Sequence, residues 1–397
     1  MSLIATPEDR DALGAFYRRA LLDDVIPFWL RHGLDREHGG MLTCLDRDGS
    51  VLDTDKSIWF QGRAGWMLAT LWRTVEQRDE WLEAARSCVE FLRRHGQGPD
   101  GKMWFSVTRD GRPLRMRRYV YSEAFAAIAF AAWARATGDG RAAEEARRAF
   151  ETYLRYSFEP GVMTPKFEPT RSSKGVGPLM IGIVTAQELR EHLGDAPVGG
   201  RTPTEWIDGF IAEIERDFLK REHGALMETV ALDGSVLDHI DGRTLNPGHA
   251  IECAWFVLQE ARMRGDARMA ALGVEILDGM WERGWDPVHG GLLYFTDLMG
   301  RPVQEYWHDM KFWWPHCEAI VATLMAWRMT GEARHATRHR LVHDWSFRHF
   351  PDPEHGEWFG YLHRDGTVSQ GAKGNLFKGP FHLPRMLWMG MRCAAGR

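Results

Sequence analysis

The sequence predicts an all-α protein, an (α/α)6 barrel of six helix pairs with short β-hairpins at one end. Three observations predict this fold: a motif that recurs at nearly constant spacing, a glycine-bounded hairpin signature in most repeats, and helices of two alternating kinds. We expect residues 1–397 to form a single domain, although the length alone would allow two or three. An open α-solenoid is the alternative, and the fixed number of repeats and the aromatic hairpins favour a closed ring.

The recurring motif is a short turn that contains glycine, usually after Asp or His. It returns at a nearly constant period, so six repeats of about 60–66 residues fill the chain. Such self-similarity is typical of a fold built from one repeated unit. The glycines are Gly39, Gly101, Gly161, Gly224, Gly290 and Gly356.

A second glycine lies ten positions after the first in five of the six repeats. Residues between the two glycines, such as 103–107 and 292–295, are rich in aromatic and β-prone types. Such a run closed by Asp-Gly predicts a small β-hairpin. The third repeat lacks the second glycine, and we expect a longer irregular loop at 171–175. The second glycines are Gly49, Gly111, Gly234, Gly300 and Gly366.

The remainder of each repeat is helical, with two kinds of helix in alternation. One kind is apolar almost all round, which predicts burial on every side; it covers 122–136, 179–189, 250–261 and 318–329. The other kind has one apolar stripe and one charged face; it covers 81–95, 141–156, 203–219 and 332–350. Six buried helices inside six amphipathic helices satisfy this pattern.

Composition excludes several classes of protein. Lys plus Arg is 50 and Asp plus Glu is 55, a formal net charge of −5, which argues against binding to nucleic acid or an anionic membrane. The apolar runs are too short for the ~20 residues of a membrane span, and residues 1–10 resemble no signal peptide. Five widely spaced cysteines without a C-x-x-C pair favour a reducing, cytoplasmic location.

The start of each buried helix is where functional side chains are expected. These six starts should converge at one end of the barrel axis. His249, His316 and His382 follow one another at intervals of about one repeat. We expect them to point into one funnel, together with Arg63 and Glu123. A single histidine in an aromatic wall is usually a core residue, so the pair His249 and His382 carries the functional hypothesis.

Two imidazoles on one funnel suggest proton transfer in both directions. Imidazole titrates near neutral pH, so each ring can act as base or acid in turn. Two such groups on opposite faces of a carbon acid can remove a proton from one face and return it to the other, which is epimerisation. Arg63 and the helix N-termini would stabilise the oxyanion formed beside a carbonyl.

Other chemistries remain open on the same residues. A divalent ion could be held by one of three pairs: His249 with Glu252, His316 with Glu318, or His308 with Asp309. None of these pairs has the spacing of a strong zinc motif, and we expect no metal. A glycoside hydrolase needs two carboxylates, which Glu123, Glu252 and Glu318 could supply, but the histidine pair would then be unexplained. A non-catalytic, partner-binding protein is a further alternative. No phosphate-binding loop is present in the sequence.

Two further groups of residues are interpreted from local sequence alone. Lys56 and Lys102 are expected to be solvated surface residues. The tryptophan-rich stretch 307–314, which includes Trp313, is expected to combine core packing with a platform for sugar rings.

Several of these segments carry a family resemblance that spans nearly the whole chain and is weakest over 159–201. The sequence resembles the N-acylglucosamine 2-epimerase family, which includes the mammalian renin-binding protein. The matching segments are W-F-Q-G-R at 59–63, N-P-G-H-A-I-E at 246–252, G-W-D-P-V-H-G-G at 284–291, M-K-F-W-W-P-H at 310–316, G-E-W-F-G-Y at 356–361 and F-K-G-P-F-H-L-P-R at 377–385.

The resemblance implies a reaction and roles for residues. It implies an (α/α)6 barrel that interconverts N-acetyl-D-glucosamine and N-acetyl-D-mannosamine at C2 of the ring-opened sugar, without a metal or required cofactor. His249 and His382 would be base and acid, Glu252 and Glu318 would orient histidine and substrate, and Arg63 would lie near the carbonyl oxygen.

The resemblance also leaves the substrate open. Phe377 and Lys378 resemble the N-acyl branch, because disaccharide epimerases tend to carry Trp at the first of these positions. The superfamily also contains cellobiose 2-epimerases and mannose-type aldose–ketose isomerases. The implied partner is a small sugar, and dimerisation and modulation by nucleotides such as ATP are expectations of the family only.

Overall fold

The computed structural model describes residues 4–117, 119–165 and 168–396, and these are mostly helical. The α-helices are α1 Pro7–Arg19, α2 Ile26–His32, α3 Ile58–Thr74, α4 Asp79–His95, α5 Tyr121–Thr137, α6 Gly140–Phe158, α7 Gly177–Leu193, α8 Pro203–Glu213, α9 Ile240–Arg243, α10 Pro247–Arg264, α11 Ala267–Gly284, α12 Trp313–Thr330, α13 Ala333–His349 and α14 His382–Ala394. Short π-helical segments at Ala20–Val25 and Ile214–Phe218 extend α1 and α8.

Six of these helices form a closed inner ring. In the order α3, α5, α7, α10, α12 and α14, each inner helix contacts the next, and α14 returns to contact α3. The closed barrel is therefore confirmed and the open solenoid is wrong.

The outer ring covers the inner ring with one helix for each partner. Helices α4, α6, α8, α11 and α13 each pack on the inner helix that precedes them, whereas α1 packs on α14. The first and last long helices thus form the sixth pair, so the two ends of the chain close the barrel together.

The two rings differ in burial as their sequences predict. Every residue of α12 from Trp313 to Ala326 is buried, because this helix has neighbours on all sides. In α4 the buried positions Trp81, Ala85, Cys88 and Leu92 recur every three or four residues on one face. Among the described helices, none has both the length and the apolar character needed to cross a bilayer.

Short strands form a collar at one end of the barrel. They are β1 Cys44–Leu45, β2 Val51–Asp53, β3 Lys56–Ser57, β4 Ser106–Val107, β5 Pro113–Arg115, β6 Lys174–Gly175, β7 Leu219–Lys220, β8 Ala225–Leu226, β9 Thr229–Val230, β10 Thr244–Leu245, β11 Thr296–Asp297, β12 Lys311–Phe312, β13 Tyr361–Leu362 and β14 Val368–Gln370.

The predicted hairpins are correct in three repeats. Antiparallel pairs β1–β2, β4–β5 and β13–β14 turn at Gly49, Gly111 and Gly366, whose φ angles of 86°, 92° and 89° favour glycine. Within the described chain, the turns at Gly234 and Gly300 are not followed by the second hairpin strand. The hairpin prediction is wrong there: among the described residues, β9 and β11 pair only with strands of the preceding repeat, whereas β4 and β13 pair with the preceding repeat and also form their hairpins.

Strand pairing between repeats is a feature that the sequence did not indicate. The strand that leads into an inner helix pairs with a strand of the next repeat in β3–β4, β6–β9, β10–β11 and β12–β13. A bridge between Leu45 and Gly374 joins the sixth repeat to the first. These pairings hold the starts of neighbouring inner helices at one level, which is where the candidate site lies.

Buried ion pairs reinforce this collar. The Lys56 ammonium lies 2.8 Å from Asp35, and Arg109 from the next repeat donates two hydrogen bonds of 2.9 Å to the same carboxylate. The prediction that Lys56 is solvated is wrong, since its side chain is fully buried; Lys102 is also buried, against Arg117. Two equivalent clusters are Asp286 with Lys311 and Arg364, and Asp352 with Lys373 and Arg47.

Candidate active site

A cavity of about 990 Å³ lies on the barrel axis, inside the inner ring. The helix starts and collar loops of several repeats contribute to its wall. Six of the predicted site residues line it: Arg63, Glu252, His249, Trp313, Phe377 and His382. The prediction that the starts of the inner helices converge on one funnel is correct for these positions.

His382, at the start of α14, belongs to a buried polar network. Its Nδ1 lies 2.7 Å from Oε1 of Glu318. One guanidinium nitrogen of Arg385 donates to Glu318 Oε2 and to Glu252 Oε1, both at 2.7 Å. Trp255 Nε1 donates a further bond of 2.7 Å to Glu318. The Glu318 carboxylate thus has a partner on each oxygen, which fixes the plane of the histidine ring.

His249, near the start of α10, is held by a different carboxylate. The Asn246 side chain caps the helix by accepting the backbone N–H of His249 at 3.1 Å. His249 Nδ1 lies 2.9 Å from Oε1 of Glu228. The ring is 40% exposed, and the exposed part faces the cavity. His249 therefore has a fixed orientation and a free edge.

The two histidines have pKa values displaced in opposite directions. Burial, with the nearby positive charges of Arg63 and Arg385, holds the pKa of His382 well below its ordinary value. Burial alone would also lower the pKa of His249, but the negative charge and hydrogen bond of Glu228 outweigh it and raise that pKa. At neutral pH His382 is therefore neutral and His249 is the better proton donor.

Both imidazoles contact one tryptophan. The Trp314 ring centroid lies 4.9 Å from that of His249 and 5.8 Å from that of His382. The rest of the wall is strongly aromatic, which suits the apolar faces of a sugar ring. The aromatic residues that line the cavity near the collar include Trp59, Tyr121, Tyr294, Trp307, Phe312, Trp313, Tyr361 and Phe377.

Arg63 of α3 presents a positive charge to the same space. Its guanidinium lies 4.2 Å from the ring centroid of Phe125, and Nη1 donates to the Phe377 carbonyl at 3.1 Å. Burial lowers the pKa of Arg63 to about 9, so it stays protonated at neutral pH. Arg63 lines the cavity, although its Nε–H is itself buried and has no hydrogen-bond partner among the described residues.

One group of side chains has the composition of a metal site. Ligand atoms of Glu252, Glu318 and His382 lie within 4.8 Å of one another. Arg385 already donates to both carboxylates, so an ion bound there would lie beside a guanidinium. The Arg385 guanidinium therefore already supplies the positive charge that balances these carboxylates, and the group does not fit a metal ion.

Four predicted site residues are not part of the cavity wall: Glu318, which holds His382 and Arg385, and three others, of which Glu123 is the first. Glu123 Oε1 accepts the Met103 backbone N–H at 2.6 Å, and burial raises its pKa to about 7. Gln61 holds the Met41 backbone in the same way in the preceding repeat. The prediction that Glu123 points into the funnel is wrong, because its side chain is bonded to a backbone N–H of the collar.

His316 also supports the collar. Its Nε2 accepts the Leu292 N–H at 2.9 Å, and its Nδ1 lies 2.7 Å from the Phe312 carbonyl. Burial lowers its pKa to about 3. His249 lies three positions before Glu252 on its helix, whereas His316 lies only two positions before Glu318. A slip of one position turns a helical side chain by roughly 100°, which is why the prediction that His316 points into the funnel is wrong.

Lys378 lies behind the cavity wall. Its Nζ is 2.5 Å from Glu357 Oε2 and 3.0 Å from the Lys373 carbonyl, and it is completely buried. The ammonium lies 5.8 Å from the ring centroid of Trp313. Lys378 therefore supports this part of the wall and does not contact the cavity as predicted, whereas its neighbour Phe377 does line it.

Sequence reasoning missed Glu228 and Arg385. Arg385 lies within a segment that carried the family resemblance, so its position was marked without a role, and Trp314 was named only as part of the stretch 307–314. Glu228 lies in the collar, well before His249 in the chain, and no spacing or motif connects it to that histidine.

Comparison with known proteins agrees with this geometry. Residues 40–378 match the family model described as N-acylglucosamine 2-epimerase (GlcNAc 2-epimerase). The N-acylglucosamine 2-epimerase of Bos taurus is 40% identical over 378 residues, which cover 93% of this chain and 88% of that protein. The N-acylglucosamine 2-epimerase of Homo sapiens is 37% identical over 394 residues, with 96% and 91% covered.

A solved structure shares the fold. Cellobiose 2-epimerase from Spirochaeta thermophila DSM 6192 has a TM-score of 0.83 at 21% identity, with 98% of each chain covered. The helical ring with its paired histidines and the sequence similarity together define a carbohydrate epimerase or isomerase. The chain belongs to the N-acylglucosamine 2-epimerase family.

Proposed function

We propose that this sugar 2-epimerase interconverts N-acetyl-D-glucosamine and N-acetyl-D-mannosamine, with His382 and His249 exchanging the C2 proton. One observation carries the proposal: two imidazoles line one cavity, each with Nδ1 on a carboxylate, and their pKa values are displaced in opposite directions. The printed names of the Bos taurus and Homo sapiens relatives support the N-acyl sugar as substrate.

The proposed reaction requires the open-chain sugar, because C2 becomes acidic only beside the C1 aldehyde. Neutral His382 takes the C2 proton on Nε2, and the electron pair moves onto the aldehyde oxygen to give an enolate. The positive charge of Arg63, which lines the cavity, stabilises this oxygen. His249 then gives its Nε2 proton to C2 from the opposite face, and both rings re-equilibrate with solvent.

We propose that no metal or organic cofactor takes part. The reaction needs a base, an acid and a positive charge, which His382, His249 and Arg63 supply. The five cysteines are all free thiols, which supports function in a reducing compartment such as the cytoplasm. Glycoside hydrolysis is less well supported, since Glu252 and Glu318 are both bound to Arg385 and are not a free acid–base pair.

Proton NMR of N-acetyl-D-mannosamine with the protein in D2O tests the proposal. The expected product is N-acetyl-D-glucosamine with deuterium at C2. Parallel incubations with mannose and cellobiose separate the related activities, because a mannose isomerase forms fructose and a cellobiose 2-epimerase changes the disaccharide. Faster turnover of either control sugar, or an epimer that retains its C2 hydrogen, would overturn the proposed substrate or mechanism.

A further inference from the structure

The sixth repeat differs from the first and the fifth at two collar positions. The residue after Gly40 donates its N–H to Gln61 at 2.7 Å, and the residue after Gly291 donates its N–H to His316 at 2.9 Å. Both acceptors lie five positions after the buried lysine of their own repeat, as Lys378 does in the sixth. These collar lysines are Lys56, Lys311 and Lys373.

The sixth repeat has Glu357 at the position of the glycine and Lys378 at the position of the acceptor. An ammonium group has no lone pair with which to accept an N–H. The acceptor is instead Glu357 itself, whose Oε2 accepts the Trp358 N–H at 2.8 Å and lies 2.5 Å from Lys378 Nζ. The two positions therefore form one unit, in which a glutamate serves both the backbone and the lysine.

This unit is unfavourable for stability. Glu357 has a φ of 58° and is the one non-glycine residue with positive φ in the described part of the chain. A Cβ disfavours this conformation, whereas Gly40 and Gly291 adopt it freely at 68° and 70°. Both charged side chains are fully buried, which stabilises a protein little, and Glu357 Oε1 has no hydrogen-bond partner among the described residues. Strain of this kind indicates a functional constraint.

The Lys378 ammonium anchors an irregular stretch of chain. Helices α3 and α12 begin two positions after their collar lysine, whereas α14 begins nine positions after Lys373. Residues 375–381, the entry segment, therefore lack the hydrogen bonds of a helix. Lys378 Nζ donates to the Lys373 carbonyl at 3.0 Å, and the Asn375 side chain accepts two backbone N–H groups of the segment at 2.9 and 2.8 Å. Side chains thus hold the entry segment in place.

The entry segment in turn holds Arg63 from two sides. The Phe377 carbonyl accepts Arg63 Nη1 at 3.1 Å, and the guanidinium carbon lies 4.9 Å from the ring centroid of Phe381. His382 follows directly, with its ring centroid 5.2 Å from that of Phe381. A shift of the entry segment would therefore displace Arg63 and His382 together.

We propose that Glu357 and Lys378 are positioning residues, whose buried ion pair fixes the entry segment and thereby the places of Arg63 and His382. The proposal rests on the reaction proposed above, in which Arg63 stabilises the enolate. That oxygen becomes an anion only as the C2 proton leaves. Displacement of Arg63 should therefore lower kcat more than it raises KM.

A graft from the first repeat tests the proposal. The double variant Glu357→Gly/Lys378→Gln installs the residue types of Gly40 and Gln61. We expect its melting temperature to stay within about 5 °C of the wild-type value. For N-acetyl-D-mannosamine, kcat should fall by at least about tenfold and KM should change by less than about threefold. If the double variant does not fold, Glu357→Gln, which keeps an acceptor for the Trp358 N–H, replaces it with the same expected kcat and KM.

Leu92→Ala is the matched control for a loss of stability. Leu92 is buried in α4 and does not line the axial cavity, so its truncation should lower the melting temperature without lowering kcat. Hydrogen–deuterium exchange of peptides covering 375–381, followed by mass spectrometry without substrate, should be at least about tenfold faster in the Glu357 variant than in the wild type.

Three results would overturn the proposal: a wild-type kcat in the Glu357 variant, unchanged exchange of the entry segment, or an equal loss of kcat in Leu92→Ala. A wild-type protein that does not turn over N-acetyl-D-mannosamine would instead contradict the proposed function. The exchange measurement needs no substrate, so it would still decide whether the ion pair fixes the entry segment.

Discussion

Nδ1 of His382 lies 2.7 Å from Oε1 of Glu318, and this contact sets the state of the imidazole. An ionised carboxylate only accepts hydrogen bonds, so Nδ1 carries the proton and Nε2 keeps its lone pair. Arg385 fixes the same carboxylate from its other side. Glu228 orients His249 in the same way, and the two rings differ mainly in the charges around them.

Removal of either imidazole should nearly abolish epimerisation. We expect His249→Ala and His382→Ala to lower kcat by at least about 100-fold, the usual contribution of a general acid or base, as measured by initial rates of N-acetyl-D-mannosamine conversion. His289→Ala, at an exposed collar histidine, is the matched control. A variant of His249 or His382 that keeps more than about a tenth of the wild-type rate would contradict the two-base account.

Glu228 should control the alkaline limit of activity. Its charge raises the pKa of His249, so Glu228→Gln should lower that pKa. In the direction that needs protonated His249, the alkaline limb of the kcat/KM profile should then move to lower pH, with little change in the acidic limb. Glu222→Gln, on the nearby turn outside the cavity, should leave the profile unchanged. An unshifted alkaline limb in Glu228→Gln would show that Glu228 does not tune His249.

In the buried ion clusters of the collar, the loss of a partner should destabilise the protein more when it leaves a buried charge unpaired than when it removes an exposed side chain. Asp286→Asn leaves the fully buried Lys311 ammonium without its carboxylate, and we expect a loss of about 3–5 kcal/mol in the free energy of unfolding by urea titration. Arg364→Met removes a partner whose side chain is 43% exposed, and we expect it to lower the free energy of unfolding by about 1 kcal/mol or less. Equal losses would show that burial of the lysine is not the dominant effect.

His316 should make stability depend on pH without affecting catalysis. Burial lowers its folded pKa to about 3, whereas the unfolded chain protonates histidine below about pH 6.5. Neutral His316 therefore makes its full contribution to the free energy of unfolding above about pH 6.5. As the pH falls below this value, that free energy decreases by up to about 1.4 kcal/mol per pH unit. Because Gln61 makes the equivalent backbone contact, His316→Gln should keep the fold and kcat but show a shallower acid dependence of unfolding. A large loss of kcat would show instead that His316 takes part in catalysis.

The repeat pattern was sufficient to predict the closed barrel and the end of its axis where His249 and His382 line a cavity. Glycine spacing located the repeats, and helix burial separated the inner ring from the outer ring. Side-chain direction was less predictable: Glu123 and His316 lie at helix starts but point towards the collar, because a shift of one position changes the face. Local sequence also does not reveal the contacts that form only when the collar folds. These contacts determine where the side chains of Lys56, Lys378 and Glu228 lie.

Hydrogen–deuterium exchange by the single-histidine variants tests the central claim most directly. Each variant is incubated in D2O with N-acetyl-D-mannosamine and, separately, with N-acetyl-D-glucosamine, and the C2 proton signal is followed by NMR. If the rings act on opposite faces, His249→Ala should exchange the C2 proton of only one epimer and His382→Ala that of only the other. Exchange of the same epimer by both variants would contradict the account.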